Sequence, residues 1–81
     1  MNKVTIYLRS DSAECRALKR FLDDRSIGYT ERDATNPVAR QEMFRRYGVL
    51  TVPVVVIGRS AFFGFEENRQ AIERALIDVL A

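Results

Sequence analysis

The chain has 81 residues, 47% of them hydrophobic and 30% charged, which suits one domain because domains usually contain roughly 100 to 200 residues. Thirteen Lys and Arg against eleven Asp and Glu leave a net charge of +2 with the signs interspersed, which argues against nucleic acid as a partner. One cysteine and no histidine exclude an intramolecular disulfide and a histidine-dependent metal site or catalytic triad. We therefore expect a single monomeric domain over residues 1–81 that holds no metal.

The sequence carries no pattern of a membrane span or an export signal. Its longest strictly apolar run, Val54–Ile57, is far shorter than the roughly 20 residues that cross a bilayer. Met1–Lys3 leads directly into a strand-like segment, without an apolar leader or a small-residue cleavage site. We expect a cytoplasmic protein that does not contact the membrane.

The first half of the chain predicts a strand, a helix and a strand. Val4–Leu8 alternates apolar and polar or aromatic residues, as a strand does. A helix is predicted over Ser12–Asp24, and Tyr29–Asp33 reads as a short polar strand at a sheet edge. The helix prediction rests on apolar residues that recur at helical spacing: Cys15, Leu18, Phe21 and Leu22.

The second half predicts a helix, a hairpin and a last helix. The second helix begins at Asn36-Pro37 and ends at Tyr47, with Gly48 as its left-handed cap. Thr51–Ile57 and Ser60–Phe63 are predicted strands that turn at Gly58-Arg59. The last helix is indicated by an apolar stripe: Ala71, Ile72, Ala75, Leu76, Val79 and Leu80. The order β-α-β-α-β-β-α predicts an α/β fold in which a four-stranded mixed sheet is flanked by three helices.

Cys15 is the one side chain of high intrinsic nucleophilicity, and it lies in the first turn of the first helix. Asp11 and Glu14 have the spacing of a capping box, and Ser12 is the alternative N-cap. The helix dipole favours a thiolate there, whereas the adjacent carboxylate of Glu14 opposes one. Because its spacing with Leu18 points Cys15 inward, we favour a core thiol over a reactive one.

Two further segments are candidates for binding. Pro53 either begins a strand or follows a cis bond that leaves the backbone of Val52 free to pair with an extended peptide. Gly64-Phe65-Glu66-Glu67 begins the last helix, where free N–H groups bind a carboxylate or are capped by the glutamates themselves. We favour the capped helix.

These segments together resemble the glutaredoxin family over essentially the whole chain, and they are also similar to the short glutaredoxin-like redoxins that support ribonucleotide reduction. The resemblance rests on four segments: Val4–Leu8, Arg9–Lys19, Thr51-Val52-Pro53 and Gly64-Phe65-Glu66. It implies a thioredoxin-like fold, a cis-proline at Pro53, and a thiol site at the start of the first helix. The family's activity is disulfide exchange that depends on glutathione or resembles that of thioredoxin, on disulfide-bearing proteins or with glutathione as co-substrate.

The family motif Cys-x-x-Cys or Cys-x-x-Ser reads Ser12-Ala13-Glu14-Cys15 in this chain. Serine cannot take part in thiol–disulfide exchange, so the activity of this exact sequence is in doubt. Three explanations stay open: Ser12 was introduced in place of a native cysteine, it is natural in a groove that binds glutathione or a protein without catalysis, or Cys15 acts alone as a monothiol.

The resemblance also implies roles for the matched residues. With a cysteine at position 12, that residue attacks a disulfide and Cys15 resolves the mixed disulfide. The expected substrate- or glutathione-binding residues are Arg9, Thr51, Val52, Pro53, Gly64, Phe65 and Glu66. Among them, Arg9 offsets a carboxylate, and the backbone of Phe65 and Glu66 holds the γ-glutamyl end of glutathione.

Overall fold

The structure, a computed structural model, describes residues 3–80. Four strands and three α-helices follow one another in the predicted order, with a short 3₁₀ turn before the last helix. The elements are β1 (Val4–Leu8), α1 (Ala13–Asp24), β2 (Thr30–Asp33), α2 (Pro37–Tyr47), β3 (Val54–Ile57), β4 (Ser60–Phe63), the 3₁₀ turn (Glu66–Asn68) and α3 (Arg69–Leu80).

The four strands form one mixed sheet in the order β2-β1-β3-β4. β1 runs parallel to β2 and antiparallel to β3, and β3 pairs antiparallel with β4. The polar strand β2 therefore lies at a sheet edge, as predicted. β3 begins at Val54 rather than at Thr51, because Pro53 has no N–H to donate to a ladder.

Side-chain alternation along β1 divides the core between the two faces of the sheet. Val4, Ile6 and Leu8 pack with the apolar sides of α1 and α3, whereas Tyr7 packs with Met43 of α2. Successive residues of a strand point to opposite faces, so β1 supplies both layers. Burial of each large apolar side chain contributes about 1.5–3 kcal/mol, which holds the helices on the sheet.

The helix ends follow the predicted caps at three positions. Ser12 and Asn36 are the N-caps of α1 and α2, and Gly48 ends α2 in the left-handed conformation with φ 73°. Each cap hydrogen-bonds backbone groups that a helix end leaves unpaired. No helix within residues 3–80 combines the length and the apolar character needed to cross a membrane.

Candidate functional site

The site begins at the N-terminus of α1, where Ser12 has an extended backbone with φ −96° and ψ 124°. Its Oγ accepts a hydrogen bond from the backbone N–H of Cys15 at 3.2 Å, and the side chain is half-buried. A group at this position therefore meets an N–H donor and the positive end of the helix dipole.

The capping box predicted from Asp11 and Glu14 is wrong. Asp11 instead forms an exposed ion pair with Arg9 at 3.2 Å, and the carboxylate of Glu14 turns away from the cap. The Glu14 carboxylate instead accepts hydrogen bonds from the backbone N–H groups of Phe65 and Glu66 in the segment after β4. The Ser12 hydroxyl accepts the N–H of Cys15 and so caps the helix.

Cys15 lies in the core, with 1% of its surface exposed. It packs in the cluster that contains Leu8, Leu18 and Phe65. The prediction that Cys15 points inward is confirmed, and its thiol is shielded from reagents in the folded chain.

The peptide bond between Val52 and Pro53 is cis, as the resemblance implied. Pro53 is buried, and its carbonyl accepts the N–H of Gly64 at 2.9 Å. Val52 packs against the cluster that holds Cys15 and Phe65, yet its own N–H and C=O form no hydrogen bond within residues 3–80. These two backbone groups can therefore pair with an extended segment of another molecule.

The segment after β4 carries two adjacent backbone amides that point at one carboxylate. The N–H groups of Phe65 and Glu66 donate to Oε2 of Glu14 at 2.8 and 3.0 Å. We call them the amide pair. Neither of the two neighbouring glutamates caps them, contrary to the capped-helix prediction, because Glu14 of α1 takes that place.

The amide pair is held in position by its surroundings. Asn68 donates from Nδ2 to the carbonyls of Phe63 and Gly64 at 2.8 and 3.1 Å, which closes the turn. The Phe65 side chain is buried, with its ring centroid 5.2 Å from that of Phe21. Only the backbone of Phe65 therefore faces the site.

The structure thus connects most of the predicted residues. Hydrogen bonds connect Ser12 to Cys15, Glu14 to the amide pair, and Gly64 to Pro53. Arg9 is exposed and engaged with Asp11, and Thr51 is exposed beside Val52. Within residues 3–80 there is no cluster of three or more side chains suited to a metal.

Sequence reasoning missed the contact of Glu14 with the amide pair and the role of Asn68 in the turn. Glu14 drew attention for its spacing from Asp11 and for a negative charge that would oppose a thiolate and a glutathione carboxylate, not for a partner in a distant segment. A contact across 51 residues leaves no local pattern that could have indicated it.

A mixed four-stranded sheet, a capped helix start and a cis-proline define a protein with a thioredoxin-like fold, and the predicted fold class is confirmed. Residues 4–62 match the sequence model of the glutaredoxin family. The chain is 30% identical over 66 residues to the glutaredoxin-like protein NrdH of Escherichia coli, which covers 82% of each protein.

Solved structures agree with that match. The structure of NrdH-redoxin from Escherichia coli superposes with a TM-score of 0.71 at 30% identity, over 88% of this chain and 91% of that one. A glutaredoxin from Brucella melitensis gives 0.69 at 30% identity, over 99% and 88%. The chain belongs to the glutaredoxin family.

Proposed function

We propose that this chain is a thiol–disulfide oxidoreductase scaffold of cell redox homeostasis, with serine at the position of the family's attacking cysteine. The observation that carries the proposal is the Ser12 hydroxyl, which accepts the N–H of Cys15 at 3.2 Å. A thiolate at that position would accept the same N–H and face the positive end of α1, and both contacts favour the ionised thiol. The serine hydroxyl itself cannot form a disulfide.

Disulfide exchange requires a thiol at position 12, which the Ser12→Cys variant provides. Its thiolate attacks one sulfur of a disulfide RSSR, which forms a mixed disulfide with the protein and releases RS⁻. The thiolate of Cys15 then attacks the protein sulfur of that mixed disulfide and releases the second RS⁻. The substrate gains two electrons, the protein is left with an internal disulfide, and an external dithiol returns it to the reduced state.

The partner we favour is a disulfide-bearing protein in the cytosol, where reducing conditions keep Cys15 a thiol. The unpaired N–H and C=O of Val52 support this choice, since they suit an extended peptide held beside Pro53. The NrdH-redoxin structure is described as explaining a thioredoxin-like activity profile in a glutaredoxin-like protein. Glutathione is the second candidate, with a carboxylate at the backbone of Phe65 and Glu66, Arg9 offsetting its charge and Thr51 and Gly64 beside it.

A non-catalytic binding module is the alternative function. It is favoured by the combination of a serine that cannot exchange disulfides with a Val52 backbone that remains unpaired. In that case the groove of Ser12, Val52 and Pro53 holds a thiol-bearing peptide or glutathione, and the Ser12 hydroxyl donates to the ligand's sulfur.

The two functions are separated by intact-mass analysis of the chain and of Ser12→Cys after incubation with bis(2-hydroxyethyl) disulfide, a small neutral disulfide. For the oxidoreductase scaffold we expect Ser12→Cys to lose the mass of two hydrogens and the unchanged chain to remain as it was. The double variant Ser12→Cys/Cys15→Ser, the matched control, should stop at the mixed disulfide. If Ser12→Cys reacts with the disulfide only slowly and without loss of two hydrogens, the result supports the binding module. An adduct on the unchanged chain would show that Cys15 acts alone.

A further inference from the structure

We propose that Glu14 is a specificity-determining residue, whose carboxylate occupies the amide pair and directs the site away from glutathione and toward disulfides that present no carboxylate. This inference rests on the proposed function and names the class of disulfide that the site accepts. Its starting point is the pair of hydrogen bonds from Phe65 and Glu66 to one oxygen of Glu14, at 2.8 and 3.0 Å.

The contact binds a carboxylate in the manner in which a ligand would be bound. Two successive backbone N–H groups converge on a single oxygen, and hydrogen bonds to an ionised acceptor are stronger than those between neutral groups. The partners are 51 and 52 residues apart, so the contact is tertiary rather than a local cap. The amide pair has therefore been matched to a carboxylate, and the chain itself supplies it.

An incoming carboxylate meets two obstacles. Glu14 is carried by the first turn of α1, so it is always at the amide pair and competes as an intramolecular group against a free ligand. Within residues 3–80, Glu14 forms no ion pair, and the hydrogen bonds to its carboxylate come from the amide pair. A second carboxylate would have to displace Glu14 or accept repulsion from it.

A neutral disulfide or a protein disulfide meets neither obstacle. Neither kind of disulfide needs the amide pair, and a protein disulfide can also pair with Val52 through its backbone. Glu14 thus divides substrates by charge while leaving the position of Ser12 unaltered, because the Ser12 Oγ is bonded to the N–H of Cys15 rather than to Glu14.

The test compares two substrates in the Ser12→Cys background. Initial rates are measured with oxidised glutathione and with bis(2-hydroxyethyl) disulfide, and their ratio is the readout. We expect Glu14→Ala to raise the ratio of the rate with oxidised glutathione to the rate with the neutral disulfide by about tenfold, which corresponds to the loss of one charge-assisted interaction. Glu14→Gln, which keeps an acceptor oxygen without the charge, should give a smaller rise and guards against a failure of Glu14→Ala to fold.

Asp24→Asn is the matched control, because it removes one exposed negative charge from the opposite end of α1, and Asp24 forms no ion pair within residues 3–80. Its ratio should equal that of the parent. A parallel ¹⁵N titration with S-methylglutathione, which cannot exchange, should shift the amide signals of Phe65 and Glu66 only in the Glu14 variants.

Each failure points to a different conclusion. An unchanged ratio in both Glu14 variants, or saturable shifts at Phe65 and Glu66 in the parent, would overturn the role of Glu14. If no variant reacts with the neutral disulfide, the oxidoreductase function fails, while the amide titration still decides the role of Glu14.

Discussion

Tyr7 on the central strand β1 donates its hydroxyl hydrogen to a carboxylate oxygen of Glu42 on α2. Arg32 of β2 binds the same carboxylate at 3.0 Å, so three elements meet at one charged group. Burial, with the neighbouring carboxylate, raises the pKa of Tyr7. The hydrogen bond from Tyr7, together with Arg32, lowers the pKa of Glu42 below its usual value of 4.5.

This contact predicts a loss of stability in acid. Because the pKa of Glu42 is lowered in the folded chain, its contribution is complete above the unfolded value of 4.5 and is lost as the pH falls through the folded value. Tyr7→Phe should lower the free energy of unfolding in urea at neutral pH by about 1–3 kcal/mol. The difference should shrink when the titration is repeated in acid well below pH 4.5, because Glu42 then becomes protonated and no longer offers an ionised acceptor.

Tyr47→Phe is the control for Tyr7→Phe. The ring centroids of Tyr47 and Tyr7 lie 6.0 Å apart in an edge-on arrangement. The Tyr47 hydroxyl has no hydrogen-bond partner within residues 3–80. It should change the stability little at either pH. An equal loss for Tyr7→Phe at both pH values would mean that Glu42 does not carry the effect.

The N-cap of α1 gives a second prediction. Ser12→Ala removes the acceptor of the Cys15 N–H and should lower the free energy of unfolding by about 1 kcal/mol. Ser12→Asp restores an acceptor and should recover most of that loss. Ser10→Ala, an exposed serine before the helix, should have no measurable effect in the same urea titrations. If Ser12→Ala and Ser10→Ala behave alike, the Ser12 hydroxyl does not stabilise α1.

Burial of Cys15 predicts protection from alkylation. With 1% of its surface exposed, Cys15 should react with iodoacetamide only after the chain opens, at least about a thousandfold more slowly than in denaturant. Ser12→Cys should add one thiol that reacts rapidly in the native protein, because position 12 is half-buried at a helix start. Mass spectrometry over time counts the labels, and fast labelling of the unchanged chain would contradict the burial of Cys15.

The end of α2 supplies a fourth prediction. Gly48 has φ 73°, and a Cβ there would meet no atom within 4 Å, so Gly48→Ala introduces backbone strain without a clash. We expect a loss of about 1 kcal/mol in the free energy of unfolding, and a smaller loss for Gly48→Asn. Gly28→Ala, at an exposed glycine outside the left-handed region, is the control and should be neutral.

Local patterns in the sequence were sufficient for the elements and their ends. The alternation in Val4–Leu8 and the spacing of Leu18, Phe21 and Leu22 reflect strand and helix geometry over a few residues. The caps at Ser12 and Asn36 act on amides two or three residues away, so their effect can be predicted from neighbours alone. The family resemblance then indicated how these elements pack.

The tertiary structure decided the contacts that distant segments make. Where β3 begins was predicted three residues too early, because the extended run from Thr51 does not reveal which backbone groups a neighbouring strand will reach. The sequence indicated that amides at the start of the last helix could hold a carboxylate, but the internal candidates it offered were the neighbouring Glu66 and Glu67. Only the packing of α1 against the turn after β4 placed Glu14 there, since a hydrogen bond between distant residues depends on where the whole fold brings them together.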